Sequence, residues 1–232
     1  MPRPLFVAVS ALIAVFAIVF WAFYAHQADG LERDANAELQ MTARLLSDDI
    51  VRWRAERIGD GDVLRRNGLA LSRLDDEIRR TGNLSNPDIR YWLRGYVEVF
   101  DYAGALVLDA GAHPLFATGQ PFAVSAESRR LIAQTLGNSV PALSQLQYDG
   151  NGESYIDLVV PVAKPDEEWT VHSIVLRIRP ERHVFPMLER RLGARPGKRN
   201  LLLMDAGTQF IPLEPNLRTH TLQAPIPADQ PL

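Results

Sequence analysis

The sequence predicts an α+β fold in which a long N-terminal helix precedes a central antiparallel sheet flanked by helices. Three observations predict it. Leu39, Ala43, Leu46, Ile50 and Trp53 recur at alternating steps of four and three, the seam of a helix packed along its length. From Val97 onward the apolar runs are short and of strand type. The link Asp149 to Glu153 (DGNGE), rich in residues that tolerate positive φ, joins two of those runs as an antiparallel hairpin. A long helix, short helices, strands, one helix and then further antiparallel strands make an α+β order.

Ahead of the seam, Leu5 to Tyr24 carries no charge over twenty residues. At about 1.5 Å per residue this matches a hydrocarbon core about 30 Å thick, so a transmembrane helix is expected over 5–24. The segment directly after it, Ala25 to Asp29 (AHQAD), offers no A-x-A pattern at the expected place, which favours an uncleaved anchor over a signal peptide. Trp21 and Tyr24 suit the interfacial belt at its far end. Arg3 precedes the run, and Glu32, Arg33 and Asp34 follow it with an acidic excess. The short N-terminus, 1–4, is therefore expected in the cytoplasm and the remainder outside. A stalk helix is expected over 25–66. Its seam serves either to cover the core of its own domain or to pair with a second subunit.

Residues 67–212 are expected to form the globular domain. Gly59-Asp60-Gly61-Asp62 reads as the end or a kink of the stalk helix, and Leu69 to Arg80 as a second helix. Ser85 or Asn86 caps a third over Asp88 to Gly95. Strands are expected at Val97–Phe100, Ala105–Asp109 and Leu115–Ala117, with the turn Asp109 to Pro114 between the last two. A helix over Ser125 to Leu136 has Ser125 and Ser128 as candidate caps. Ser144–Tyr148 and Tyr155–Val162 form the hairpin around Asp149 to Glu153, and Trp169–Ile178 is a long strand. Pro180 opens a helix to Leu192, and Asn200–Asp205 with Gln209–Pro212 make a last hairpin-like pair. The Pro-rich stretch 213–232 reads as a connection to a further module.

Composition excludes several functions. With 25 Lys and Arg against 28 Asp and Glu, well mixed, the chain offers no basic surface for nucleic acid. The absence of cysteine removes disulfides and thiolate metal sites. No nucleophile elbow, phosphate loop, H-E-x-x-H helix or dinucleotide fingerprint occurs, and the five histidines lack ligand spacing. Neither an enzyme, a cofactor nor a metal is expected. Asp149 to Glu153 resembles the start of a calcium loop, but Ser154 and Val160 stand where that loop needs Gly and Glu. Asp157 shares a strand face with Tyr155 and Val159. If that face is buried the carboxylate needs a partner, either inside the protein or a bound ligand; if it is solvated it needs none.

A resemblance adds to this reading. The anchor, the helix segment Ile50–Arg57 (IVRWRAER), the strand Tyr155–Val162 (YIDLVVPV), Ser173–Pro180 (SIVLRIRP) before Val184–Met187, and Asn200–Gly207 before Phe210–Leu213 are similar to the extracytoplasmic Cache (PAS-like, PDC) sensor regions of bacterial transmembrane signalling proteins. Arg90 and Trp92 share the spacing of an amino-acid-binding signature of such receptors. Leu93 and Ser85 stand where its tyrosines belong, and the triplet precedes the strands, so that match is set aside.

The resemblance implies a periplasmic ligand-sensing region anchored in the bacterial inner membrane and homodimeric through its stalk, the N-terminal part of a sensor histidine kinase or diguanylate cyclase. The alternative is a stand-alone anchored periplasmic binding or regulatory protein. A small-molecule pocket is expected on the sheet, framed by the loop Pro114–Val124 and the hairpin Tyr148–Tyr155. Its expected contacts are Tyr148, Tyr155, Asp157, His172 and Arg177, with Asp157→Ala abolishing the response without unfolding the domain.

Overall fold

The computed structural model describes residues 16, 20, 37–38, 40–163, 168–192, 202–205, 209–213 and 226–227. The expected span 5–24 lies outside them except for Phe16 and Phe20, and most of 213–232 lies outside them too. No helix among the described residues is long and apolar enough to cross a membrane. The chain forms two compact units, Met1–Asp49 and Ile50–Leu232.

Helix α1 covers 40–66 and runs through the expected break at Gly59 to Asp62. It stops at Asn67, whose side chain caps the next helix by accepting from the Ala70 N–H. The glycine at 61 serves packing. A Cβ there would lie 2.9 Å from Pro141 Cβ and 3.2 Å from Val160 Cγ2, so only glycine lets α1 lie this close to the sheet. Trp53 and Leu64, three turns apart on one face, are buried.

Helix α2, Gly68–Thr81, buries Leu71, Leu74 and Ile78 and ends at Gly82, whose φ of 74° lets its N–H reach the Ile78 carbonyl. Helix α3, Pro87–Val99, starts on the Asn86 cap with Pro87 in its first turn. It absorbs the strand expected at Val97–Phe100. Ile89, Leu93 and Val97 fall on one buried stripe at steps of four, and this packing overrides the β propensity of Val97 and Val99.

The strands are β1, Gly104–Leu108; β2, Pro114–Gly119; β3, Ala142–Leu143; β4, Gln147–Tyr148; β5, Ser154–Pro161; and β6, Ser173–Ile178. They form one antiparallel sheet in the order β2-β1-β6-β5-β3, with β4 also paired to β5. Every residue of β5 and β6 is buried, so both faces are covered. On one face Leu106, Leu108, Val159 and Val175 pack with Ile132 of helix α4, Ala126–Asn138, which starts on the Ser125 cap. Val160 lies on the other face, toward Gly61 of α1.

Two expected strands shorten. Residues 169–172 lie outside β6: the N–H groups of Thr170 and Val171 donate to Asp75 Oδ1 of α2, at 2.7 and 2.8 Å, while the His172 N–H still donates to the Leu108 carbonyl of β1 at 2.8 Å. Of the run 144–148 only Gln147–Tyr148 is strand, although Ser144 still bonds to β5, its N–H donating to the Asp157 carbonyl at 2.8 Å. A 3₁₀ turn, Pro180–Arg182, leads into helix α5, Val184–Leu192. Strands β7, Leu202–Asp205, β8, Gln209–Leu213, and β9, Ile226–Pro227, form a separate antiparallel sheet that contains the expected last hairpin.

The two glycines of α1 make a paired test. No heavy atom beyond the glycine's own surroundings lies within 4 Å of a Cβ built at Gly59. Gly59→Ala is therefore expected to stabilise the protein by about 0.5–1 kcal/mol through helix propensity. Gly61→Ala is expected to destabilise it by about 1–3 kcal/mol through overpacking. Urea unfolding of the two variants checks the opposite signs.

Asp60 supplies a second test. Burial pushes its carboxyl above the ordinary carboxylate range, against the opposing pull of the Arg57 guanidinium and the Tyr102 hydroxyl. A carboxylate whose folded pKa is raised costs stability while ionised, and that cost disappears as pH falls through the folded pKa. Asp60→Asn should thus melt above the parent at neutral pH, with the gap closing on acidification. A gap that is absent, or of opposite sign, would show that the pairing with Arg57 outweighs burial.

Candidate functional site

The β5–β6 register sets Asp157 directly opposite Arg177 on the face that α4 covers. On the other side of Arg177 the register places Gly104, which has no side chain to compete for the same space. The two charged groups form a bidentate pair, with Arg177 Nε 2.9 Å from Asp157 Oδ1 and Nη2 3.0 Å from Oδ2. Asp157 is 0 % exposed and Arg177 3 %. Both π faces of the guanidinium are occupied. The Tyr155 ring centroid lies 3.7 Å from Cζ and that of Phe122 4.0 Å.

The surrounding segments are tied to this pair. Arg177 Nη2 donates to the carbonyl of Ala123 at 3.2 Å, which holds the loop 120–125 down on the sheet. Ser128 Oγ donates to Asp157 Oδ2 at 2.7 Å, and Ser128 N–H donates to the Ser125 cap. The first turn of α4 is therefore seated over a carboxylate, a favourable placement for its macrodipole. Asp157 N–H donates to Ser144 Oγ at 2.9 Å. Asp157 thus has its partners inside the protein, which resolves the question raised by its place in an apolar strand.

One polar group beside the pair is left over. Gln147 stands opposite Tyr155 in the β4–β5 ladder, and its Oε1 accepts from the Tyr155 hydroxyl at 3.3 Å. Its Nε2 is buried without a partner. Turning the amide over would offer Nε2 to the tyrosine and orphan Oε1, so one polar atom of Gln147 lacks a partner in either orientation.

Of the five expected contacts, the structure brings Tyr155, Asp157 and Arg177 together. Tyr148 pairs with Ser154, one step along from Gln147, and so projects from the opposite face, where it is exposed. Burial and then the charge of Glu181 raise its hydroxyl above the ordinary value. His172 precedes β6, five residues and about 16 Å of extended chain from Arg177. Its Nδ1 lies 3.4 Å from the Thr170 carbonyl. Neither Tyr148 nor His172 joins the cluster.

Sequence reasoning missed Phe122, Ser128 and Gln147 as members. Ser128 was legible as a cap and Phe122 as part of the framing loop. Arg90, of the signature set aside above, stacks over the Phe116 ring at 5.6 Å. A separate groove of about 460 Å³ lies along α2 and α3, where Arg79 pairs with Asp76 and Arg80 with Glu77. Its carboxylates are spent on its own arginines. No cluster of three or more metal-ligating side chains occurs among the described residues.

No family model and no curated protein matches the chain. Among solved structures it is similar to an extracellular ligand binding receptor from Desulfohalobium retbaense, with 20% identity, 63% of this chain and 26% of that one covered, and a TM-score of 0.42. It is also similar to the ligand-binding domain of the Campylobacter jejuni chemoreceptor Tlp3 in complex with L-norvaline, with 11% identity, 69% and 67% coverage and a TM-score of 0.36. A third is the ligand-binding domain of the Pseudomonas aeruginosa amino acid chemoreceptor PctC in complex with GABA, with 13% identity, 70% and 74% coverage and a TM-score of 0.34. The last two are ligand-binding domains of chemoreceptors. The chain spans about a quarter of the first one's length.

The geometry replaces the expectation that Asp157→Ala spares the fold. Removing the carboxylate leaves a buried guanidinium unpaired, and a loss of about 3–5 kcal/mol is expected. The double variant Asp157→Leu/Arg177→Met removes both charges and should recover most of that loss. Chemical denaturation of the two variants against the parent measures both quantities.

Proposed function

We propose that this chain is the extracytoplasmic sensing region of a bacterial membrane-anchored receptor, reading a small molecule at the Gln147–Tyr155–Arg177 end of the sheet. The observation that carries the reading is the unfilled hydrogen-bonding capacity there. The Gln147 amide has a buried atom without a partner beside Tyr155, whose ring covers one face of the Arg177 guanidinium. A few convergent polar groups on an apolar surface are the usual make-up of a small-molecule site. Asp157 acts there as the residue that orients Arg177 rather than as a contact. Tyr148 and His172 are left outside the contact.

The rest of the receptor reading follows from the sequence. The uncharged run 5–24 is the anchor in the inner membrane, with the folded part in the periplasm. A histidine kinase or diguanylate cyclase module is the output. Homodimerisation through α1 is supported by a second stripe on that helix. Val51, Ala55, Gly59 and Val63 follow at steps of four and are all exposed, on the side away from buried Trp53 and Leu64. Whatever the ligand, it biases signalling only by its difference in affinity for two arrangements of the domain.

Gln147→Leu tests the site. A buried polar group kept for a ligand costs stability in its absence. The variant should therefore unfold at higher temperature than the parent when no ligand is added, by the equivalent of about 1–2 kcal/mol. It should also lose the melting-temperature rise that a panel of small carboxylic acids, amides and amines produces in the parent. A variant that is less stable yet retains the ligand-induced rise would make Gln147 a structural residue and overturn the site.

A further inference from the structure

The turn between α3 and β1 is held from several sides at consecutive residues. The Phe100 carbonyl accepts from Arg57 Nη1 of α1 at 3.2 Å. The Tyr102 hydroxyl donates to Asp60 Oδ2 of α1 at 3.3 Å, and the Arg57 guanidinium lies 5.9 Å over the Tyr102 ring. Tyr96 of α3 adds a bond from its hydroxyl to the Asp60 carbonyl at 2.5 Å.

Between those two contacts with α1, Asp101 turns to the other end of the domain. Its Oδ1 lies 2.8 Å from Arg182 Nη1, and its Oδ2 lies 3.0 Å from His183 Nε2, within ion-pair distance but without hydrogen-bond geometry. Arg182 and His183 lead directly into α5. Ala103, the residue after Tyr102, donates its N–H to the carbonyl of Arg177 on β6 and accepts from the N–H of Gln120, both at 2.8 Å. Four successive residues therefore hold α1, the entry to α5, the strand that carries Arg177 and the loop that covers it.

We infer that Phe100–Ala103 is the joint through which a displacement of α1 is passed to α5 and to the Arg177 strand. Asp101 has a φ of 53°. For a residue other than glycine this is a small, isolated region of backbone space, so the turn leaves it by a discrete change rather than by gradual bending. Such a change would swing the Asp101 carboxylate off Arg182 and His183. It would at the same time shift the flanking Phe100 carbonyl and Tyr102 hydroxyl on α1. An element with discrete arrangements, contacted by both ends of the domain, is the physical requirement for coupling them. The inference goes beyond the ligand-sensing reading and stands without it, because its test uses no ligand.

Hydrogen exchange read by mass spectrometry on the full chain tests it with Arg182→Ala, which touches only the α5 side of the joint. The Arg182–Asp101 pair is about half exposed on both sides, so exchange should accelerate by no more than about two- to fivefold. It should do so both in α5 and in the α1 segment 53–60, with α4 unchanged. By reciprocity Tyr102→Phe, on the α1 side, should accelerate α5. Acceleration confined to the altered side, or spread equally over all helices including α4, overturns the joint. Should Arg182→Ala fail to fold, Asp101→Asn breaks the same ion pair while tolerating the left-handed turn, and the same pattern decides.

Discussion

One buried ion pair organises the face of the sheet that α4 covers. Arg177 and Asp157 lie on neighbouring strands, yet their hydrogen bonds reach the loop 120–125 through Ala123, the first turn of α4 through Ser128 and the edge of the sheet through Ser144. Taking two charges out of water is costly, and their attraction offsets that cost only when geometry is good and the remaining polar atoms find partners. Here the pairing is bidentate and two aromatic rings cover the guanidinium faces. What this arrangement secures is position. It fixes which loop and which helix turn lie over that end of the sheet, where a purely apolar contact would tolerate sliding.

The opposite face answers to a steric constraint. Helix α1 approaches Val160 and Pro141 at a distance that only a glycine at 61 allows. Beyond that contact the helix is held through side chains at its C-terminal end, where Arg57 and Asp60 meet Tyr96, Phe100 and Tyr102. Burial raises the hydroxyl pKa of both tyrosines and keeps them neutral donors. The two faces of the sheet are thus built differently, one on a charge pair inside apolar packing and the other on close approach plus a polar clasp. Residues 100 to 103 connect them, since the clasp and the strand next to Arg177 share that short stretch of chain.

Much of this was legible from residue types and spacing, and the misses have physical causes. The caps at Asn86 and Ser125 and the hairpin at Asp149 to Glu153 come from local chemistry and appear where the residues predict them. Val97 and Val99 suggest a strand by propensity, but the stripe of Ile89, Leu93 and Val97 keeps them helical. Gly59 and Gly61 suggest a break, although one is neutral to packing and the other is required by it. Of the site, Tyr155, Asp157 and Arg177 were recoverable as polar or aromatic residues in apolar strands. His172 met the same criterion and sits elsewhere, because alternation and register place it away from the pair. Gln147 gave no signal, since an amide beside a turn is ordinary until its burial is known.

The sequence by itself determined the α+β class, most element positions, the capping and turn residues, the absence of thiol chemistry, and the expectation of an anchor over 5–24. Those properties depend on composition and on neighbours within a few residues, where helix and strand periods, capping and turn preferences act. Tertiary structure alone decided that Asp157 faces Arg177, that Phe122 and Tyr155 sandwich the guanidinium, and that Gln147 is left with an unpartnered atom. It also decided that one four-residue turn touches both the first and the last helix of the domain. Each of these depends on strand register or on contacts between residues 20 to 81 positions apart. Pairings at that separation are set by how the layers pack together, a condition that no local stretch of chain encodes.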